Sequence, residues 1–75
     1  MQNQLDTLLG LCKGKDPTES GAVLVSDFKQ AISTVWPNLR PDEIEDKVRD
    51  ASDYINRQNK CIDYEDAIKF YRENP

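Results

Sequence analysis

The sequence predicts an all-α fold of four helices, arranged as two matched helix–loop–helix units with a short two-stranded ribbon between their loops. Three observations point there. Apolar residues recur at helical spacing in four segments. Each pair of segments is separated by a loop that carries a few extended-type residues. The two loops match across the chain, with Val23 and Ile62 standing 39 positions apart. One domain of residues 1–75 is expected, with a first unit at about 3–36 and a second at about 41–74.

In the first segment Leu5, Leu8, Leu9 and Cys12 form one stripe of a helix, which Gly14 and Pro17 end. Residues 16–25 read as a turn with a short β-branched run, Val23-Leu24-Val25. Ser26 suits the N-cap of a second helix, whose stripe is Phe28, Ala31, Ile32 and Val35 and which stops before Pro37. Pro37-Asn38-Leu39-Arg40-Pro41 is the middle linker, and Pro41 fits the first position of a third helix. Asp42 and Glu43 fall in its first turn, where the helix dipole favours negative charge. Ile44, Val48, Ala51 and Ile55 run down that helix. Asn56-Arg57-Gln58-Asn59 is a polar break, and Cys61-Ile62 a short extended piece. Asp63 is the expected cap of a fourth helix, with Ala67, Ile68, Phe70 and Tyr71 on its apolar side.

Charged residues make up 32% of the 75 and the net charge is −4, which disfavours nucleic acid or an anionic membrane as the main partner and favours a basic one. The chain contains no histidine, so Cys12 and Cys61 lack the usual base partner, and no glycine-rich phosphate loop occurs. The expectation is a protein that is not an enzyme and uses no cofactor. Two cysteines do not make a disulfide scaffold. Met1-Gln2-Asn3-Gln4 has neither a basic start nor an apolar core, so no signal peptide is expected. No apolar run approaches the roughly 20 residues of a membrane span. The chain therefore reads as cytoplasmic with reduced thiols, either complete or half of a longer protein.

The first loop resembles that of an EF-hand. In Asp16-Pro17-Thr18-Glu19-Ser20-Gly21-Ala22-Val23-Leu24-Val25-Ser26-Asp27-Phe28 an acid opens the loop and oxygen side chains come third and fifth. Glycine is sixth, an apolar residue eighth and an acid twelfth, and an aromatic residue starts the exit helix. Ile62-Asp63-Tyr64-Glu65-Asp66-Ala67-Ile68 resembles the back half of such a loop. The chemistry of calcium argues that the ion has been lost. Calcium wants six to eight oxygens and a closing bidentate Glu. Of the degenerate ligand candidates Asp16, Thr18, Ser20 and Asp27, two are neutral hydroxyls, and Asp27 is a methylene shorter than Glu. In the second loop the opening positions, Ile55 to Asn59, hold no carboxylate and Lys60 replaces the glycine. No metal is expected at either.

Within this superfamily, members blind to calcium mostly resemble myosin light chains, which clasp basic IQ-motif helices of a myosin lever arm. Having one lobe where most have two, the chain looks like a single-lobe light chain of a class I-type unconventional myosin. The resemblance implies that its partner is the IQ helix of a myosin heavy chain and that it is a monomer when free. The expected groove residues are Leu9, Ile32, Val35, Trp36, Ile44, Val48, Phe70 and Tyr71, and the expected acidic rim is Glu43, Glu45 and Asp46. The single methionine is Met1, so the flexible methionine surface of a promiscuous reader is absent and one dedicated partner is expected.

Three other readings stay open on the residues, one of them a homodimeric adaptor of EF-hand type. A weak calcium sensor or buffer of EF-hand type is the first. An acyl carrier is the second, though that family's Asp-Ser-Leu attachment site has no counterpart in Val25-Ser26-Asp27 or Ala51-Ser52-Asp53.

Overall fold

The computed structural model describes residues 4–74, so the expectations attached to Met1, to Asn3 and to Pro75 lie outside the described residues. The first helical stripe forms α1 (Gln4–Gly14), with Leu8 and Cys12 fully buried and Leu5 and Leu9 half-buried beside them. α2 (Val25–Val35) buries Phe28, Ala31 and Ile32. Its last turn closes as the Trp36 N–H donates to the Ile32 carbonyl at 2.9 Å, just before Pro37. α3 (Pro41–Asp50) begins on Pro41, and the Glu43 carboxylate reaches back to accept the Arg40 backbone N–H at 3.3 Å. α4 (Tyr64–Glu73) buries Tyr64, Ala67, Ile68 and Tyr71.

The caps differ from expectation. Helix α2 starts one residue before Ser26, on Val25, and Leu24 at its N-cap offers no side-chain hydrogen bond. The orphan Val25 N–H is instead taken by the Lys60 carbonyl at 3.0 Å, so a neighbouring strand end does the work of a cap. Asp63 occupies the N-cap of α4 and makes no side-chain cap bond.

The all-α expectation with a two-stranded ribbon is overturned by a three-stranded antiparallel sheet. β1 (Ala22–Leu24) pairs with β3 (Cys61–Asp63) in the register Ala22↔Asp63, Val23↔Ile62 and Leu24↔Cys61. β2 (Ile55–Asn56) then adds to the other side of β3, with Ile55↔Ile62 and Asn56↔Cys61. The physical reason lies after Asp50. The apolar spacing carried α3 on to Ile55, but Ser52 and Asp53 favour turns over helix interiors. The chain leaves the α-helix there, passes through a single 3₁₀ turn, η1 (Ser52–Tyr54), and delivers β-branched Ile55 to a strand. The second connection is thus a tight hairpin, unlike the open loop of the first half. Its Asn56–Cys61 turn is braced: the Asn56 carbonyl accepts the Lys60 N–H at 2.8 Å, and the Asn56 and Asn59 side chains accept the N–H groups of Gln58 and Cys61.

The sheet faces the core with Val23 and Ile62, both buried and directly opposite each other. Around them α1 packs on α2 and α4, and α2 on α3. An Arg72–Asp6 ion pair also ties α4 to α1. No helix among the described residues is long and apolar enough to cross a membrane.

Candidate functional site

The first loop closes on its own carboxylate. Helix α1 ends at Gly14, and the chain winds through bonds from Lys15 N–H to the Cys12 carbonyl and from Asp16 N–H to the Lys13 carbonyl. This turns the Asp16 side chain inward, where the residue is only 5% exposed. One carboxylate oxygen accepts the Ser20 N–H at 3.0 Å, the Ser20 hydroxyl at 2.9 Å and the Thr18 hydroxyl at 3.4 Å. The other accepts the Gly21 N–H at 2.8 Å and the Tyr64 hydroxyl at 3.0 Å. The loop reaches this shape through positive φ at Glu19 (54°) and Gly21 (87°), the second being one that glycine adopts at no steric cost.

Burial pushes the Asp16 carboxyl up, but the donors of Gly21, Ser20 and Tyr64 together outweigh it and hold the group down at about 2. On the other end of the same bond, burial and then the Asp16 carboxylate raise the Tyr64 phenol to about 12. Of the four degenerate ligand candidates, Thr18 and Ser20 therefore meet on Asp16, each donating to its carboxylate. Asp27 stands half-buried in the first turn of α2. A cation at Asp16 would have to displace donors from both of its oxygens. Among the described residues no group of three or more acids, cysteines or histidines is placed to hold a metal.

The expected groove residues divide into two sets. Ile32, Val48 and Tyr71 are core, exposed by 0%, 4% and 6%. Leu9, Val35, Trp36, Ile44 and Phe70 are half-buried at the core's margin. Two of them are already engaged. Trp36 donates its indole N–H to the Gln4 side chain at 2.8 Å, and the Phe70 ring tilts against Tyr54 and Tyr71. The Lys47 ammonium lies between the rings of Trp36 and Tyr71, 4.7 Å from each centroid, while the Tyr71 hydroxyl donates to the Lys47 carbonyl at 2.7 Å.

The acidic rim is exposed, and its members are paired within the chain. Glu45 accepts from Lys29 at 2.8 Å, Asp46 from Arg49 at 3.2 Å, and Glu43 lies 4.0 Å from Arg40. The Lys29 bond and charge hold the Glu45 carboxyl below its ordinary value.

Two features escaped sequence reasoning. Tyr64 is one, since nothing in its position after Asp63 signals a bond to a residue 48 positions away. The other is an apolar hollow of about 480 Å³ between the start of α2, the end of α3 and the β2–β3 turn, lined by Val25, Val48, Ser52 and Ile55 and edged by charged residues. Of the expected groove and rim it contains only Val48 and Glu45. The signal present in the sequence was the pair Arg57 and Lys60 close after β-branched Ile55, which reads as a solvated break as long as Ile55 is placed on a helix.

Compared with family models, with curated proteins and with solved structures, the chain matches none.

Proposed function

We propose that this chain is a calcium-independent light chain, which binds and stiffens a basic IQ-type helix of an unconventional myosin lever arm in the cytoplasm and catalyses nothing. The observation that carries the calcium independence is Asp16: both carboxylate oxygens accept from the loop's own donors and from Tyr64, so a cation would have to displace bonds already made. The partner's class rests on the likeness of Asp16–Phe28 to the loop of that superfamily and on the net charge of −4. Leu9, Val35, Trp36, Ile44 and Phe70 offer apolar surface at the margin of the core, where anchors of an amphipathic helix can seat.

The test is calorimetry with a synthetic basic IQ-type helix in the presence of a chelator. Val35→Gln and Phe70→Gln should each weaken binding by more than about 1 kcal/mol while leaving the helical spectrum intact. Wild-type affinity in both folded variants refutes the groove; a strict calcium requirement refutes the independence.

A further inference from the structure

The apolar hollow has the opposite sign to the rest of the molecule. Four of the chain's ten basic residues, Lys29, Arg49, Arg57 and Lys60, edge it, against one of the fourteen acids, Glu45. Glu45 is spent on Lys29, and Arg49 pairs with Asp46. Arg57 and Lys60 carry no ion pair among the described residues and are exposed. Their backbone is held: the Asn56 carbonyl takes the Lys60 N–H, the Lys60 carbonyl takes the Val25 N–H, and the Asn56 side chain takes the Gln58 N–H. Two free cations therefore stand at fixed backbone positions above a floor of Val25, Val48 and Ile55.

We propose that this hollow is a second docking site, apart from the margin of Leu9, Val35, Trp36, Ile44 and Phe70 offered to a basic helix, and that it takes a short acidic peptide segment with an aliphatic anchor. The aliphatic side chain sits on Val25, Val48 and Ile55, and flanking carboxylates meet Arg57 and Lys60. Charge complementarity selects the occupant. A basic helix meets like charge here, and an anionic bilayer meets a concave patch on a protein of net charge −4.

The probe is fluorescein-labelled acetyl-Glu-Asp-Leu-Glu-Ile-Asp-Glu-amide, followed by anisotropy and by amide chemical shifts of the labelled protein. Shifts should cluster at Val25, Ser52, Ile55, Arg57 and Lys60. The double variant Arg57→Glu/Lys60→Glu should weaken binding at least ten-fold with an unchanged circular dichroism spectrum. Lys13→Glu/Lys69→Glu, which makes the same change in net charge at exposed sites elsewhere, should leave it within two-fold. Replacing Leu and Ile of the peptide by Gln should abolish binding. The proposal is overturned by absence of binding, by equal losses in the two double variants, by full affinity of the Gln peptide, or by vesicles of phosphatidylserine binding where the peptide does not.

Discussion

The hydroxyl of Tyr64, in the first turn of α4, donates to the carboxylate of Asp16, at the foot of α1, across 3.0 Å. It joins the two halves of the chain through a buried, charge-assisted bond just beyond the end of β3. Tyr64→Phe keeps the ring's packing and removes the donor. The expected cost is about 1.5–3 kcal/mol, the range for a hydrogen bond to a charged group, read from the urea midpoint. Asp16→Asn should destabilise as well, because an amide cannot accept from all the donors now aimed at it. A midpoint unchanged by Tyr64→Phe would show that the bond contributes nothing.

The same pair sets how stability responds to pH. Asp16 ionises at about 2 in the fold against 3.8 when free, so its contribution is present above 3.8 and disappears as pH falls towards 2. Tyr64 and Cys12 move the other way. Burial raises Cys12 from 9.0 to about 12, partly offset by Lys15, and Tyr64 goes from 10.0 to about 12. Both favour the neutral form, so their contributions are full below pH 9 and are lost as pH rises through 9 to 12. Urea midpoints across pH should fall at both ends, and Tyr64→Phe should flatten the alkaline fall above pH 10.

Calcium should leave the protein nearly unchanged. The Gly21 N–H is already bonded to the Asp16 carboxylate at 2.8 Å, so its amide resonance should hold its place on addition of millimolar calcium. A large downfield shift of Gly21 that saturates at micromolar ion would refute the closed-loop account.

The two thiols should differ in reactivity. Cys12 is fully buried and its thiol is pushed up to about 12, whereas Cys61 is half-buried on the outer side of β3. Mass spectrometry after brief labelling of native protein should find Cys61 modified first. Fast, equal labelling would show that α1 opens readily.

Lys60 holds φ at 57°, in the left-handed region. Lys60→Gly should raise stability by up to about 1 kcal/mol, and Lys60→Val should lower it, because a β-branched side chain fits that region poorly. Opposite signs in paired urea titrations support the strain; equal signs refute it.

The helices were legible because their information is local. The stripe Leu5, Leu8, Leu9 and Cys12 faces the core, with Leu8 and Cys12 fully buried, and Pro37 and Pro41 bracket the linker. The pairing of Val23 with Ile62 was legible from the likeness of the two loops. β2 was not, because Ile55 satisfies a helical spacing and a strand equally, and only the turn chemistry of Ser52 and Asp53 separates the two. The groove was half legible: apolar periodicity identifies Ile32, Val48 and Tyr71 as inward-facing but does not distinguish the centre of a core from the wall of a cleft. The Asp16–Tyr64 bond depends on where two distant backbones cross, which local pattern does not encode.

Trp36 is the only tryptophan in the chain. Its indole N–H is tied to Gln4 of α1, and its ring lies under Lys47 of α3, which also covers Tyr71 of α4. The molecule thereby carries a built-in optical gauge of its own closure. Separation of any of these helices from its neighbours changes either the polarity at the indole nitrogen or the charge over its face, so intrinsic emission registers opening without a dye attached.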